Sequence, residues 1–323
     1  MTPSAGPLAG SRSFLSRLRQ GDEIAHLITF LFAASVVLVT VLLVFVLWQE
    51  SVLPRHKFGF DFFFTRVWDP ISEEFGALPF IYGTVVTTVV SLLLAVPLGL
   101  GAAIFLAELA PQRISDTLQF FIDLLAAVPS VIYGLLGIFV VVPLMRTVIE
   151  PALKNSLGFL PLFQGPAYGI GFLTAGVVLA IMIVPYIISV SREILLAVPR
   201  EQREAALALG ATRWESTWKV VIPFARTGIM GSIFLAMARA LGETMAVAMV
   251  IGNTPTISAS LFSPGYSIAA VIANEFREAT GDLYLQALVE LGLVLFLLTF
   301  ILNGIARLLI VATTQKGSRT AQA

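Results

Sequence analysis

Six apolar runs, at about residues 24–48, 80–109, 118–144, 170–190, 228–251 and 283–311, leave this chain few ways to fold. Each holds at least the ~20 residues that cross a hydrocarbon core about 30 Å thick, and the longer ones must tilt or reach past the interface. Lipid offers no hydrogen-bond partner to a peptide group, so every run is predicted to be a helix. The expected fold is all-α: a polytopic membrane protein with six transmembrane helices. With 57% hydrophobic and 12% charged residues, a soluble domain could not hide the apolar surface. The first run is too long for a cleaved signal peptide and lacks a small-residue cleavage site, so it is expected to be a retained anchor.

Lys and Arg set the orientation. With a cytoplasmic N-terminus, the inner set is Arg12, Arg17, Arg19, Arg113, Arg192, Arg200, Arg203, Arg213, Lys219, Arg226, Arg307, Lys316 and Arg319. The outer set is Arg55, Lys57, Arg66, Arg146, Lys154 and Arg277. Thirteen against six favours a multi-pass protein with both termini in the cytoplasm. Residues 1–23 are expected to be a mobile cytoplasmic tail, rich in Gly, Ser, Pro and Arg. Residues 24–315 form the six-span domain, and 316–323 a second cytoplasmic tail. Three outer loops follow from this order. The first, 50–78, carries Phe58, Phe60, Phe62, Phe63, Phe64 and Trp68 and is expected to lie partly at the interface. The second covers 145–169, and the third, 252–282, has a short helix near 268–280.

Several chemistries are excluded. There is no cysteine, which removes disulfides, thiolate catalysis and Cys-ligated zinc. The only histidines, His26 and His56, have no carboxylate cluster around them, so no metal site is expected. No Gly-Lys dipeptide exists, so a phosphate-binding loop of the G-x-x-x-x-G-K-[ST] type is impossible and energy must come from a partner. Zero net charge gives no reason to expect nucleic acid. No Ser-His-Asp arrangement can be nominated. The chain is not expected to be an enzyme or to hold a cofactor.

Between the fourth and fifth runs lies a charged, helix-forming island, about 199–223. Pro199 suits the first turn of a helix, Ala205 to Leu209 continue it, and Gly210 is placed to stop it. Thr212-Arg213-Trp214-Glu215 reads as a capping box opening a second helix, with Trp214, Trp218 and Val221 on one face. A helix–turn–helix knob of this kind suits docking into a groove on a soluble partner.

The fifth run contains charge. Arg239 lies about 17 Å along a helix from Gly228 at ~1.5 Å per residue, near the bilayer middle, and Glu243 at i+4 can meet it. An Arg there costs about 2.5–3.5 kcal/mol, an expensive place for a merely structural pair. As an anion way-station, Arg239 attracts the cargo and Glu243 offsets the attraction so that the anion can leave. The alternative is an ion pair that sets helix packing. Thr84, Thr87, Thr88 and Ser91 form a stripe on the second run. Such hydroxyls are candidates for lining a path, though they more often bond across packed helices. Asn253, Thr254, Thr256, Ser258 and Ser260 follow the fifth run, where they are placed to receive cargo or simply to solvate a loop. Asp123 and Glu290 are expected to snorkel or to pair at helix ends. Pro97, Pro129, Pro143 and Pro185 are candidate kinks.

The knob resembles the EAA loop of permease subunits in binding-protein-dependent ABC importers. Glu204, Ala205, Ala206, Gly210 and Pro223 stand at the family's offsets, with Val220 and Ile222 replacing the usual Ile and Leu. The resemblance narrows to the PstC family of phosphate-importer permeases. It rests on Ala238-Arg239-Ala240-Leu241-Gly242-Glu243-Thr244-Met245-Ala246-Val247 with Ile251-Gly252-Asn253, on Trp68-Asp69-Pro70, and on the stretch Phe75 to Thr84. Ala95-Val96-Pro97-Leu98-Gly99-Leu100-Gly101 and Ala127-Val128-Pro129-Ser130-Val131-Ile132-Tyr133-Gly134 are similar to the same family. It spans nearly everything beyond residue 24.

That resemblance implies the type I ABC importer permease fold. It also implies a heterodimer with a PstA-like permease subunit, two PstB-like ATPases inside and a PstS-like phosphate-binding protein outside. Glu204, Ala205, Ala206, Gly210 and Pro223 would then couple to the ATPase, while Arg239, Glu243, Thr244, Thr87 and Thr88 line the substrate path. Molybdate or tungstate is the near alternative cargo, since one Arg and one Glu do not tell oxyanions apart. An ion-coupled secondary transporter is the distant alternative, and it requires inverted repeats and interrupted helices in corresponding halves. Neither is visible in the sequence.

Overall fold

The computed structural model describes residues 22–320, with side chains over 24–308. The tail expected at 1–23 therefore lies almost wholly outside the described residues, whereas the one expected at 316–323 begins as backbone of the last helix, which runs to Thr320, and only 321–323 lie outside. The chain divides into two units, residues 1–50 and 51–323. The first contains helix α1, Asp22–Gln49, whose stretch Ile24–Gln49 has a mean hydropathy of 3.0.

The second unit opens with α2 (Val52–Phe58) and a two-stranded hairpin, β1 (Trp68–Asp69) with β2 (Glu74–Phe75). Asp69 accepts from the Ser72 hydroxyl and the Ile71 N–H at the hairpin's tip, and these bonds hold its carboxyl below the usual range. Helix α3 runs from Leu78 to Ile104 and continues through a π-turn, Phe105–Leu109. Then come α4 (Gln112–Ala126), α5 (Ser130–Leu157), α6 (Phe172–Leu196) and α7 (Arg200–Ala208). The chain finishes with α8 (Arg213–Leu241), α9 (Met245–Ala248), α10 (Ile268–Glu275) and α11 (Asp282–Thr320). Among the described residues, six helices are long and apolar enough to cross a membrane: α1, α3 with its π-turn, α5, α6, α8 and α11.

Three boundaries depart from expectation, each for a local reason. The third run, expected at 118–144, is split at Ala127-Val128-Pro129. Pro129 has no N–H to donate and biases Val128 away from helix, so α4 ends and α5 starts afresh, reaching Leu157. The outer loop expected at 145–169 therefore loses its first half to α5. The fifth run, expected at 228–251, begins at Arg213 and stops at Leu241, because the knob's second helix flows into the span without a joint. A π-turn, Thr217–Val221, makes that continuity possible. Pro223 cannot donate, and just before it the Ile222 N–H reaches back five residues to Thr217 O. The extra residue in the turn carries Val221 inward to full burial, while Trp214 and Trp218 stay half exposed with rings 5.6 Å apart. The single face expected for these three residues is corrected accordingly.

Helices α3 and α6 pack in parallel along their length. Gly83 meets Phe172, Gly176 meets Val90, and Gly99 meets Ile187. The approach is closer than side chains allow, since a Cβ on Gly99 would stand 2.7 Å from Ile187 Cγ2. Around this pair lies a central core of Tyr133, Met145, Leu179, Ile183, Val250 and neighbours. A second cluster gathers Phe62, Phe75, Phe80, Tyr266 and Leu288 beneath the aromatic loop, where Trp68 donates to Glu275 (2.8 Å) and Tyr284 donates to the same oxygen (2.7 Å). Phe60 and Phe64 of that loop remain exposed. A third cluster, with Leu106, Leu195, Val198, Val221 and Ala225, closes the opposite end.

Two acidic residues differ from expectation. Glu290 is enclosed, with 2% of its surface exposed, so it does not snorkel; the charge of Arg55 acts on it. Asp123 is exposed, and among the described residues no ion pair joins it to a cation. It accepts from Ser189 (2.6 Å) and Gln119 (2.7 Å) and joins α4 to α6.

Candidate functional site

Two interrupted helices meet in one layer. The first break is Ala127–Pro129, between α4 and α5; the second is Gly242–Thr244, between α8 and α9. The first turns of α5 pack directly on α9. Gly134 permits this, because a Cβ there would lie 2.4 Å from Met249 Sδ and 3.3 Å from Ala246 Cα. Tyr133 crosses the first break and donates its hydroxyl to Leu125 O at 2.7 Å, satisfying a carbonyl that the interrupted helix leaves without its usual partner.

The second break has its own polar fastenings. Glu243 accepts the Ala246 N–H at 3.2 Å and so caps α9. The Thr244 hydroxyl donates to Gly242 O at 3.3 Å, and Asn253, at φ 49°, donates its amide to Ala248 O at 2.9 Å. Arg239 stands two residues before the end of α8, exposed, with its charge acting on Tyr133. The i+4 contact expected between Arg239 and Glu243 is not made: no ion pair links them among the described residues. The helix ends between the two, so the spacing that brings i and i+4 together no longer applies. Both breaks fall at span ends, one just before Ser130 and the other just after Leu241.

Thr87 and Thr88 occupy a different place. They are 2% and 3% exposed inside the α3 packing, and Thr87 donates to Gly83 O at 2.8 Å. Thr84 donates to Phe80 O and accepts the Ile268 N–H at 2.9 Å, which ties α10 to α3. Thr254, Thr256 and Ser260 bond mainly to backbone carbonyls of their own loop and its neighbours.

The knob has the expected shape. Helix α7 is stopped by Gly210 at φ +86°, and Thr212 and Glu215 form a reciprocal capping box at 3.0 and 3.2 Å. Glu204 and Ala205 face outward, Ala206 is buried, and Pro223 is exposed on α8. The sequence reading missed what holds the knob. Arg203 grips Glu108 at the end of α3, with Nη2 to Oε1 at 2.7 Å, and donates to Leu195 O at 2.6 Å. Nothing in spacing connects residues 95 positions apart. The one available signal was an acidic residue closing an apolar run. Tyr133 and Gly134 were equally invisible as a clamp, although Pro129 beside them was a candidate kink.

Residues 95–313 match the family described as binding-protein-dependent transport system inner membrane component. The chain belongs to that family. Similar curated proteins are the phosphate transport system permease protein PstC of Mesorhizobium japonicum, 48% identical over 88% of this chain and 89% of that one, and its namesake in Xylella fastidiosa, 50% identical over 80% and 81%. The PstC protein of Pasteurella multocida is 46% identical over 93% of each. Among solved structures, the inward-facing MetNI methionine ABC transporter is similar in fold, with a TM-score of 0.52, 19% identity and coverage of 75% of this chain and 98% of that one. A bacterial ABC transporter involved in import of the acidic polysaccharide alginate gives a TM-score of 0.53 at 15% identity, covering 90% and 98%. The chain is thus a multi-pass ABC importer permease, the non-catalytic membrane component of its system.

Proposed function

We propose that this permease carries inorganic phosphate into the cell and that separate ATPase subunits drive it. The observation that carries the reading is the guanidinium of Arg239, exposed beside the helix breaks on a stretch of α8, residues 227–241, that has no other charged residue. The naming of relatives at 46–50% identity supports phosphate as the cargo. A guanidinium forks toward the oxygens of a tetrahedral oxyanion and stays charged at every physiological pH. Glu243 and Thr244, fixed at the break by backbone bonds, follow Arg239 four and five residues along the chain. The carboxylate keeps the well shallow enough for the anion to leave, which conduction requires.

The open side of Arg239 is where a second, PstA-like permease subunit closes the path. On this view two PstB-like ATPases dock at α7, where Glu204, Ala205 and Ala206 present the contact and Gly210 and Pro223 fix the knob's shape. A PstS-like phosphate-binding protein delivers cargo at the opposite end. Both termini and the knob are cytoplasmic, on the balance of Lys and Arg. ATP is hydrolysed by the partner, and this chain turns that event into alternating access.

Purified complex in liposomes tests the assignment by ATP-dependent uptake of radiolabelled phosphate, with molybdate as competitor. Phosphate uptake that needs the ATPase subunit is the expected result. Uptake by the lone chain in empty liposomes, or preference for molybdate, overturns it.

A further inference from the structure

The coupling helix α7 stands off the body of the protein. Between it and the ends of α3 and α6 lies a cleft of about 540 Å³, bordered by Ala107, Glu108, Leu196, Arg200, Leu207 and Thr217 among others. Nine residues are too few to be a stable helix alone, and α7 packs chiefly against the first turns of α8. Across the cleft runs one side chain. Arg203 donates through Nε to both oxygens of Glu108 at 3.2 Å and through Nη2 to Oε1 at 2.7 Å. It also donates through Nη2 to Leu195 O and through Nη1 to Val198 O, in the last turn of α6 and just past it. The side chains are 20% and 9% exposed, so solvent weakens the link little. The π-turn Phe105–Leu109 places Glu108 at this spot.

We infer that Arg203 is the positioning residue of energy coupling: a strut that makes the coupling helix and the ends of α3 and α6 move as one body. The inference rests on the permease reading above. Its chemistry is specific to arginine, whose planar fork can hold a carboxylate and two carbonyls at once. A lysine keeps the charge but not the geometry. Without the strut, α7 stays joined to α6 through Val198-Pro199 and to α8 through Leu209-Gly210-Ala211, two hinges that let the helix tilt over the cleft when the motor pushes.

Two measurements test this. In the reconstituted complex, Arg203→Ala should leave co-purification of the ATPase subunit and basal ATP hydrolysis intact, while cargo moved per ATP falls about tenfold, within the roughly 5–150-fold span of ordinary coupling energies. Arg203→Lys should fall between. Unchanged cargo per ATP in Arg203→Ala overturns the inference. The second measurement does not depend on cargo. Because the chain has no cysteine, spin labels on Gln202→Cys and Gln112→Cys report a single distance between α7 and the start of α4, just past the end of α3. The distribution should be narrow in the parent and broaden in Arg203→Ala and in Glu108→Ala. A distribution that stays narrow in both variants overturns the strut, even where phosphate proves to be the wrong cargo.

Discussion

Helices α6 and α8 are built from similar material and are used differently. Their mean hydropathies are 2.4 and 1.7, yet 67% of the α6 span is buried within the protein against 28% of α8. Helix α6 runs unbroken past Pro185 and seats Phe172, Leu179, Ile183, Ile187 and Leu195 completely in the core. Helix α8 carries a π-turn near its start, ends at Gly242 and leaves Arg239 exposed beside the break. On the reading proposed above, the contrast is one of scaffold and path. A span buried over most of its length fixes the frame, and a span with an open face can present a charge.

The sharpest way to break that comparison is Arg239→Ala. Removing a fixed charge donor from a desolvated path should cut phosphate uptake by on the order of 10²-fold, with assembly unchanged on gel filtration. Adding Glu243→Ala should not restore uptake, because the two side chains make no ion pair; recovery in the double variant would make them partners after all. Next in size is Ile183→Ala on α6, fully buried, which should cost about 2–5 kcal/mol in unfolding of the detergent-solubilised protein. Leu235→Ala on α8, 53% exposed, should cost far less, and equal losses would erase the distinction. Thr84→Val keeps the shape but leaves the Ile268 N–H without its acceptor, for about 1–3 kcal/mol by the same measurement. Thr212→Ala removes the capping box, worth about 0.5–2 kcal/mol, and should appear as faster hydrogen exchange over residues 213–216. The smallest effect is expected for Thr87→Val, whose hydroxyl donates within its own helix. A clear drop in phosphate uptake there, without loss of stability, would bring the buried stripe of Thr87 and Thr88 onto the path.

Much of this was legible from residue order. Hydropathy located all six spans, Gly210 and Thr212 marked the knob's turn and cap, and the expense of Arg239 pointed to the site proposed here. Boundaries near Pro129 and Pro223 were not legible. Whether a proline kinks a helix, breaks it or is absorbed by a π-turn depends on which neighbours can take up the orphaned carbonyls. The i+4 rule failed for Arg239 and Glu243 because it presumes an unbroken helix, and the break at Gly242 is stabilised by tertiary contacts with α5. Arg203 and Glu108 were out of reach for the same reason: their pairing is created by folding.

Apolar run length determined that this chain lives in lipid as helices, since peptide groups there must satisfy one another locally. Which faces of those helices are sealed and which stay open, and which distant charges meet, was decided only when α3, α5, α6 and α8 packed. In a membrane, hydropathy is nearly the same on every side of a span, so it carries no information about neighbours. Close approach at Gly99 and Gly134, and a few buried polar bonds, supply that information instead.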